Sequence, residues 1–148
     1  MKLLLPLVTG LCIAIVLVAG CTLPTIPSEL SATTWKLAYY SDGQGGWFAA
    51  INGTNVTATF GVDGTLSGNA GCNQYSSQYS VNGNLISITV PGVSTTTCSE
   101  SVMQQEHTYV SRLPLASTWK ITDGTLMLSD ASGNSLISYT ATKFTPSK

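Results

Sequence analysis

The sequence predicts a mainly β (α+β) fold, a compact antiparallel β-meander or half-barrel with one α-helix packed against it. Three observations support this fold class. Apolar and polar residues alternate in short runs from residue 33 onward, Gly-containing turns separate the runs, and one segment near 99–113 has an apolar spacing close to 3.6 residues. Alternation places one strand face on a core, whereas the longer spacing forms an apolar stripe on a helix. We expect about seven to nine short strands, closed or nearly closed.

Five runs show the alternation that is typical of half-buried strands. Their apolar positions are Trp35, Leu37 and Tyr39, then Val56, Ala58 and Phe60, then Ile86, Ile88 and Val90, then Trp119 and Ile121, and finally Leu126 and Leu128. The turns between runs are Asp63-Gly64, Asn82-Gly83, Asp123-Gly124 and Ser132-Gly133-Asn134. Gly and Asn tolerate the positive φ of tight hairpin turns, so neighbouring strands are expected to pair antiparallel.

Residues 99–113 are expected to form the helix. The face predicted to be buried carries Val102, Tyr109, Val110 and Leu113, together with Glu106. Ser99 is a candidate N-cap, Arg112 suits the last turn, and Pro114 ends the helix. With a single apolar stripe, this helix is expected to lie on the sheet.

Residues 1–20 have the pattern of a lipoprotein signal peptide, and Cys21 is the expected lipid acceptor. Lys2 gives a positive start, an uncharged apolar run follows, and Ala19 and Gly20 precede the cysteine. A lipoprotein signal peptidase requires small residues there and a thiol that carries diacylglycerol. An uncleaved transmembrane anchor is the alternative, because the run approaches the ~18–20 residues that span a bilayer. Either interpretation places the rest of the chain outside the cytoplasm.

Residues 21–32 contain two prolines and lack a periodic apolar pattern, so we expect a lipid-anchored tether there and the domain at 33–145. The sequence contains six Lys and Arg residues and seven Asp and Glu residues, and the basic residues form no cluster. Because nucleic-acid binding depends on phosphate neutralisation by basic side chains, that class of partner is not expected. The expected partners are the membrane, through the lipid, and an envelope protein or glycan, with the domain itself a monomer.

Cys72 and Cys98 are expected to form a disulfide, since thiols outside the cytoplasm oxidise and pair. Two separate buried thiols are the alternative. A zinc site is disfavoured because His107 is the only histidine that could join the two cysteines. We therefore expect neither a metal nor a cofactor.

The segments around these cysteines resemble the META domain, or HslJ-like, family. The resemblance rests on Gly71-Cys72-Asn73 within residues 68–75, on Thr95 and Cys98 before the helix, on Gln105-Glu106, on residues 126–130 before Gly133, and on the opening Thr34-Trp35. It covers nearly all of residues 33–140. The chain departs from the family at Thr96 and Thr97, where typical members often carry Met or Ala.

The resemblance implies a compact antiparallel β fold with one helix, in exported or envelope-attached proteins, some of them linked to heat shock, antibiotic tolerance or virulence. It implies no reaction and no catalytic residue. Cys72 and Cys98 match the family's cysteine positions, which supports the disulfide. Gly71 is expected to allow a close backbone approach, and Asn73 to cap a turn or strand end.

Aromatic residues flank the glycine-rich loop at residues 41–46. They are Tyr39, Tyr40, Trp47 and Phe48. Core packing is one interpretation, and an exposed patch that binds a partner or glycan is the other. Two sequons follow closely, at Asn52 and Asn55, and their glycosylation depends on the machinery of the cell.

The sequence contains no recognisable catalytic motif. A nucleophile elbow is absent, and turn geometry explains Asp63 and Asp123. The sequence therefore predicts a non-enzymatic cell-envelope lipoprotein domain with a binding or stress-tolerance role at the cell surface. The alternative is a hydrolase whose site is assembled from distant residues that include His107.

Overall fold

The structure is a computed structural model, and it describes residues 25–142. The predicted signal peptide at 1–20, the predicted lipid acceptor Cys21 and the last residues of the predicted domain at 143–145 lie outside this range. No helix within residues 25–142 is long and apolar enough to cross a membrane. The prediction of a lipid anchor therefore stays a prediction.

Ten strands and two α-helices make up the described part of the chain. In order, they are α1 (Ser28–Ser31), β1 (Thr34–Ser41), β2 (Trp47–Ala49), β3 (Thr57–Phe60), β4 (Thr65–Asn69), β5 (Gln74–Asn82), β6 (Leu85–Ile88), β7 (Gly92–Val93), α2 (Glu100–Arg112), β8 (Thr118–Thr122), β9 (Thr125–Ser129) and β10 (Ser135–Ala141). A 3₁₀ turn at Leu113–Leu115 follows α2 directly.

The strands form one antiparallel sheet that closes into a barrel. The order β10-β9-β8-β6-β5-β4-β3-β1 is completed by pairing between β1 and β10. This confirms the predicted fold class and closes the expected half-barrel. The strand count exceeds the expected seven to nine, because the three-residue β2 and the two-residue β7 pair outside this ring. Strands that short carry no alternating pattern that a sequence could reveal.

A chain of three tyrosines crosses the barrel interior. The Tyr109 hydroxyl lies 2.8 Å from that of Tyr75 and 2.9 Å from that of Tyr139. Because Tyr75 donates its proton to the carbonyl of Thr57 at 2.9 Å, Tyr109 donates to Tyr75 and Tyr139 donates to Tyr109. Burial raises the pKa of all three phenols, so they remain neutral donors over the usual pH range.

Two predicted strand faces are corrected by the structure. The alternation of β1 changes phase at a bulge between Leu37 and Tyr39, so Tyr40 is buried and Tyr39 is exposed. An added residue in one strand moves every later side chain to the other face. Val90 was expected in the core with Ile88, but β6 ends at Ile88 and Val90 is exposed.

The predicted tether is wrong over its last residues. Residues 28–31 form the short helix α1, in which Leu30 is fully buried in the core. The Trp35 indole donates a hydrogen bond of 3.0 Å to the Leu30 carbonyl. The folded unit therefore begins by Ser28, and α1 packs at the end of the barrel that holds the β3–β4 turn. A single buried leucine is too short a pattern to reveal this from sequence.

The prediction of the long helix is confirmed, with α2 spanning Glu100–Arg112. Ser99 occupies the N-cap position, but its side chain makes no capping hydrogen bond. Leu113 is buried as expected, within the 3₁₀ turn that includes Pro114. The buried residues of α2 are Gln105, Glu106 and Tyr109, so two of the three carry a polar amide or carboxylate group.

Candidate functional site

A buried carboxylate on α2 fixes the helix to the β4–β5 turn. Glu106 accepts hydrogen bonds from the backbone N–H of Asn73 at 2.7 Å and of Cys72 at 3.1 Å, both on Oε2. The Asn73 side-chain amide donates to Oε1 at 2.7 Å. Backbone and amide donors thus solvate a carboxylate that is only 5% exposed. This arrangement, here called the Glu106 network, uses both oxygens of the side chain.

Asn73 extends the Glu106 network to the segment that precedes α2. Its Oδ1 accepts from the Thr96 N–H at 2.6 Å and from the Ser94 hydroxyl at 3.1 Å, and its Nδ2 donates to the Thr96 carbonyl at 2.9 Å. The predicted disulfide is confirmed here, with the sulfur atoms of Cys72 and Cys98 2.04 Å apart. Asn73 directly precedes β5, and its side chain makes these bonds across the fold and none within its own turn. It therefore acts at a strand end, the second of the two expected roles, and joins the segments that the disulfide links.

Gln105 fixes α2 to a second loop. Its Oε1 accepts the Ile51 N–H at 2.6 Å, and its Nε2 donates to the Thr54 hydroxyl at 3.1 Å. Gly71, at φ +120°, passes so close that a Cβ there would lie 3.1 Å from Nε2 of Gln105. The close approach expected at Gly71 is therefore present. Together, Gln105 and Glu106 seat α2 on the end of the barrel opposite α1.

Sequence reasoning placed Glu106 on the buried face but gave neither it nor Gln105 a role. The available signal was two adjacent polar residues within an apolar stripe. A buried carboxylate and a buried amide require internal partners, because leaving such groups unpaired is costly. The donors come from turns far away in the sequence, so only the tertiary structure could name them.

His107 is exposed on α2 and lies at a shallow apolar groove of about 290 Å³. The lining includes Val90, Met103, Val110, Glu106 and Ser111. A carboxylate, an imidazole and a hydroxyl therefore share one groove. Glu106, however, is held in its network, and Ser111 donates its proton to the Thr108 carbonyl at 2.7 Å. The residue types of a hydrolytic triad are present without the mutual hydrogen bonds that activate a nucleophile.

The predicted aromatic patch divides between two faces of the β1–β2 ribbon. The register pairs Ser41 with Trp47 and Tyr40 with Phe48. Tyr39 and Trp47 stack on one face with ring planes 9° apart and centroids 6.2 Å apart, whereas Tyr40 meets Phe48 on the other. Tyr40 is buried, so it is not part of an exposed patch. Tyr39 and Trp47, here called the aromatic stack, remain 45% and 41% exposed.

Asn52 and Asn55 both lie on the surface, in the loop between β2 and β3. Their side chains are thus accessible, and whether they carry glycans stays a prediction. Within residues 25–142, no group of three His, Cys, Asp or Glu side chains could hold a metal ion.

A cleft of about 430 Å³ lies at the C-terminal end of α2, next to the glycine-rich loop. Its lining includes Ser41, Gly43, Gly46, Arg112, Asp130 and Asn134. Sequence reasoning assigned Arg112 only to the last turn of the helix. The glycine-rich loop and the β9–β10 turn both line this cleft although they are far apart in the sequence, so no local pattern predicts that they lie beside Arg112. We call this site the arginine cleft.

The comparisons with known proteins give a family and a fold. The sequence model of the META domain matches residues 28–143. The structure is similar to an NMR structure of a protein from Burkholderia xenovorans, with a TM-score of 0.64, 20% identity, and coverage of 85% of this chain and 94% of that one. A second NMR structure has a TM-score of 0.58, 16% identity, and coverage of 78% and 93% respectively.

A crystal structure of a duf4847 family protein from Bacteroides vulgatus is also similar, with a TM-score of 0.54, 15% identity, and coverage of 75% of this chain and 93% of that one. At these identities the likeness shows the fold alone. No curated protein matches the sequence. None of these similarities points to a known enzymatic family. The match of the family model over residues 28–143 shows that this chain belongs to the META domain family.

Proposed function

We propose that this protein is a non-catalytic binding module of the cell envelope, and that the aromatic stack binds a saccharide. The observation that carries the proposal is the parallel arrangement of Tyr39 and Trp47, with ring planes 9° apart. Flat, solvent-exposed rings offer an apolar surface to the C–H face of a sugar ring. Neighbouring polar groups can then bind the hydroxyls of the sugar.

The surroundings of the stack favour a small saccharide over a protein partner. Phe48 is the other large exposed aromatic residue of the ribbon, and it belongs to the opposite face. A stable protein interface buries about 800 Å² per partner and has an apolar centre. Two rings beside a loop of Asp, Gly and Gln are too small and too polar for such a centre. The low content of Lys and Arg also argues against nucleic acid.

Attachment through Cys21 is part of the proposal. The two acyl chains of a diacylglycerol suffice for lasting anchorage, whereas a single chain gives only marginal binding. Ile26 packs against the core, so a lipid on Cys21 would be only a few residues away from the barrel in the sequence. The domain would then remain close to the membrane surface, where envelope glycans are concentrated.

The proposal is tested by calorimetric titration of the full chain, in detergent micelles, with envelope-derived oligosaccharides. Trp47→Ala is expected to abolish binding without unfolding the barrel, because Trp47 lies outside the core. Leu85→Ala is the matched control, since Leu85 is also a large exposed apolar residue but lies on β6. Binding that survives in Trp47→Ala, or that is lost equally in Leu85→Ala, would contradict the role of the stack.

A hydrolase remains the competing candidate because Glu106, His107 and Ser111 line one groove. Catalysis there would need Glu106 to leave donors that it binds at 2.7 Å. The wild type and His107→Ala are therefore both expected to show only background hydrolysis of esters and glycosides. Hydrolysis by the wild type that is lost in His107→Ala would favour the enzyme instead.

A further inference from the structure

Arg112, which lines the arginine cleft, carries the one buried side-chain polar atom of residues 25–142 that lacks a hydrogen-bond partner. This atom is Nε of Arg112. Every other buried side-chain nitrogen and oxygen in that range is paired, including those of Gln105, Glu106 and the tyrosine chain. Native proteins satisfy nearly all such groups, so Arg112 stands out as a side chain that the fold places beside a cleft without pairing all of its donors.

The guanidinium of Arg112 lies close against the glycine-rich loop. A Cβ added to Gly43 would collide with Nη1 of Arg112 and lie 3.1 Å from Cζ. Gly43 also has φ +77°, a conformation that glycine adopts readily. The absence of a side chain at this position therefore gives the guanidinium its place against the loop backbone.

The carboxylate that lines the cleft, Asp130, is hydrogen-bonded within its own turn. Asp130 accepts the N–H groups of Ser132 at 2.9 Å and Asn134 at 2.8 Å on Oδ1, and the Asn134 amide at 3.0 Å on Oδ2. These bonds lower its pKa, so Asp130 stays ionised and fixed in its own turn. The remaining lone pairs of Asp130 can accept hydrogen bonds from hydroxyl groups, whereas the guanidinium of Arg112 can only donate hydrogen bonds.

The arginine cleft and the aromatic stack are neighbours on the β1–β2 ribbon. Ser41 lines the cleft and is the register partner of Trp47, and Gly46 lines it immediately before Trp47 in the chain. A cleft of about 430 Å³ is large enough for one sugar residue, since small-molecule sites begin at roughly 300 Å³. A ligand on the stack can thus extend one ring into the cleft.

We infer that the arginine cleft binds the carboxylate of an acidic saccharide whose neighbouring ring lies on the aromatic stack. The planar guanidinium matches a carboxylate with two parallel hydrogen bonds, which its terminal nitrogens, Nη1 and Nη2, can donate to a ligand in the cleft. Asp130 and Asn134 face the hydroxyls of the bound ring. This inference rests on the proposed saccharide binding and specifies which saccharides are selected.

The test compares one ligand pair on the full chain in detergent micelles. The probes are an oligosaccharide of alternating glucuronic acid and N-acetylglucosamine, and its carboxyl-reduced form, in which each carboxylate has become a hydroxymethyl group. The wild type is expected to bind the acidic probe at least about tenfold more tightly than the reduced one. Arg112→Gln is expected to remove this preference and to leave the weaker binding of the reduced probe.

Two further variants make the test decisive. Arg112→Lys keeps the charge and length but lacks the planar fork, so most of the preference should be lost in a chain that folds normally. Lys120→Gln removes a charge from an exposed position on β8, away from the cleft, and should keep the full preference. Thermal unfolding of each variant checks that the barrel is intact.

Each outcome separates the inference from the proposed function. Equal binding of the two probes by the wild type overturns the acidic selectivity and leaves saccharide binding on the stack in place. A preference that persists in Arg112→Gln overturns the role of the cleft. If neither probe binds the wild type, both the inference and the proposed function are overturned.

Discussion

Helix α2 carries two polar regions that differ in how completely they are paired. In the first, Gln105, Glu106 and Tyr109 are buried, and their polar atoms all have partners within the fold. In the second, about one turn further on, Nε of Arg112 is buried and has no hydrogen-bond partner in the described part of the chain. Complete pairing is typical of polar networks that make a structure rigid, whereas an unpaired buried donor is rare and does not stabilise the fold. The comparison therefore assigns stability to the first region and agrees with the recognition role that we propose for the second.

High pH should cause the largest loss of folding stability, and it acts on the first region through Tyr109. Burial raises the pKa of Tyr75, Tyr109 and Tyr139 above the value of ~10 in an unfolded chain. Above pH ~10 the unfolded state releases protons that the folded state keeps, so stability present below that pH is lost as pH rises. Each phenol contributes roughly 1.4 kcal/mol of loss per pH unit, and we expect cooperative unfolding.

NMR of protein labelled in its tyrosine rings checks this expectation. The resonances of the three buried rings should remain those of neutral phenols until the far-ultraviolet circular dichroism signal is lost. Ionisation of these rings near pH 10 in a chain that stays folded would show that the tyrosine chain is open to solvent.

Among substitutions, Glu106→Ala should have the largest effect on stability. It leaves the N–H groups of Cys72 and Asn73 and the Asn73 side-chain amide without their acceptor. Because each unpaired buried donor costs about 1–3 kcal/mol, we expect a loss of about 3–5 kcal/mol in urea unfolding. Glu100→Ala is the control on the same helix, and it should cost less than about 1 kcal/mol. Similar losses for both variants would contradict the Glu106 network.

Replacing both cysteines should cost about 3–4 kcal/mol without abolishing the fold. The disulfide closes a loop with a sequence separation of 26 residues, and the chain-entropy relation gives this loss. The Asn73 bonds to Glu106 and Thr96 hold the same segments together in the Cys72→Ser, Cys98→Ser variant. Mass spectrometry after alkylation without reduction checks the pairing in the wild type. Labelling of both thiols in folded wild-type protein would contradict the disulfide.

The second region should contribute least to stability. Arg112→Met keeps the aliphatic stem, removes the unpaired Nε and gives up a favourable charge at the helix C-terminus. These effects oppose each other, so the free energy of unfolding should change by less than about 1 kcal/mol. A loss of more than about 2 kcal/mol in urea unfolding would instead mean that Arg112 holds the structure together.

The sequence was informative wherever the pattern is local. Alternation located β3, β9 and most of β6, and the 3.6-residue spacing located α2 to within one or two residues. It was wrong about Tyr39 and Tyr40 because the bulge in β1 is set by pairing with β10, which a single strand does not reveal. It assigned Leu30 to a tether because one buried leucine has no periodicity.

The candidate site was only partly predictable for the same reason. The aromatic residues around the 41–46 loop were visible as a cluster, but the separation of the Tyr39–Trp47 pair from the Tyr40–Phe48 pair follows from strand register. The arginine cleft was missed, since Gly43, Arg112 and Asn134 come from three distant segments. No residue type in that set is unusual for a surface loop or a helix end.

By itself, the sequence determined the β class, the long helix, the pairing of Cys72 with Cys98 and the family resemblance, because these depend on periodicity, turn chemistry and short motifs. The tertiary structure decided that the sheet closes through β1 and β10, that the β4–β5 turn provides the donors for Glu106, and that Arg112 Nε has no partner within residues 25–142. Hydrogen-bond partners far apart in the chain are chosen by the geometry of the closed barrel, and local preference does not encode that geometry.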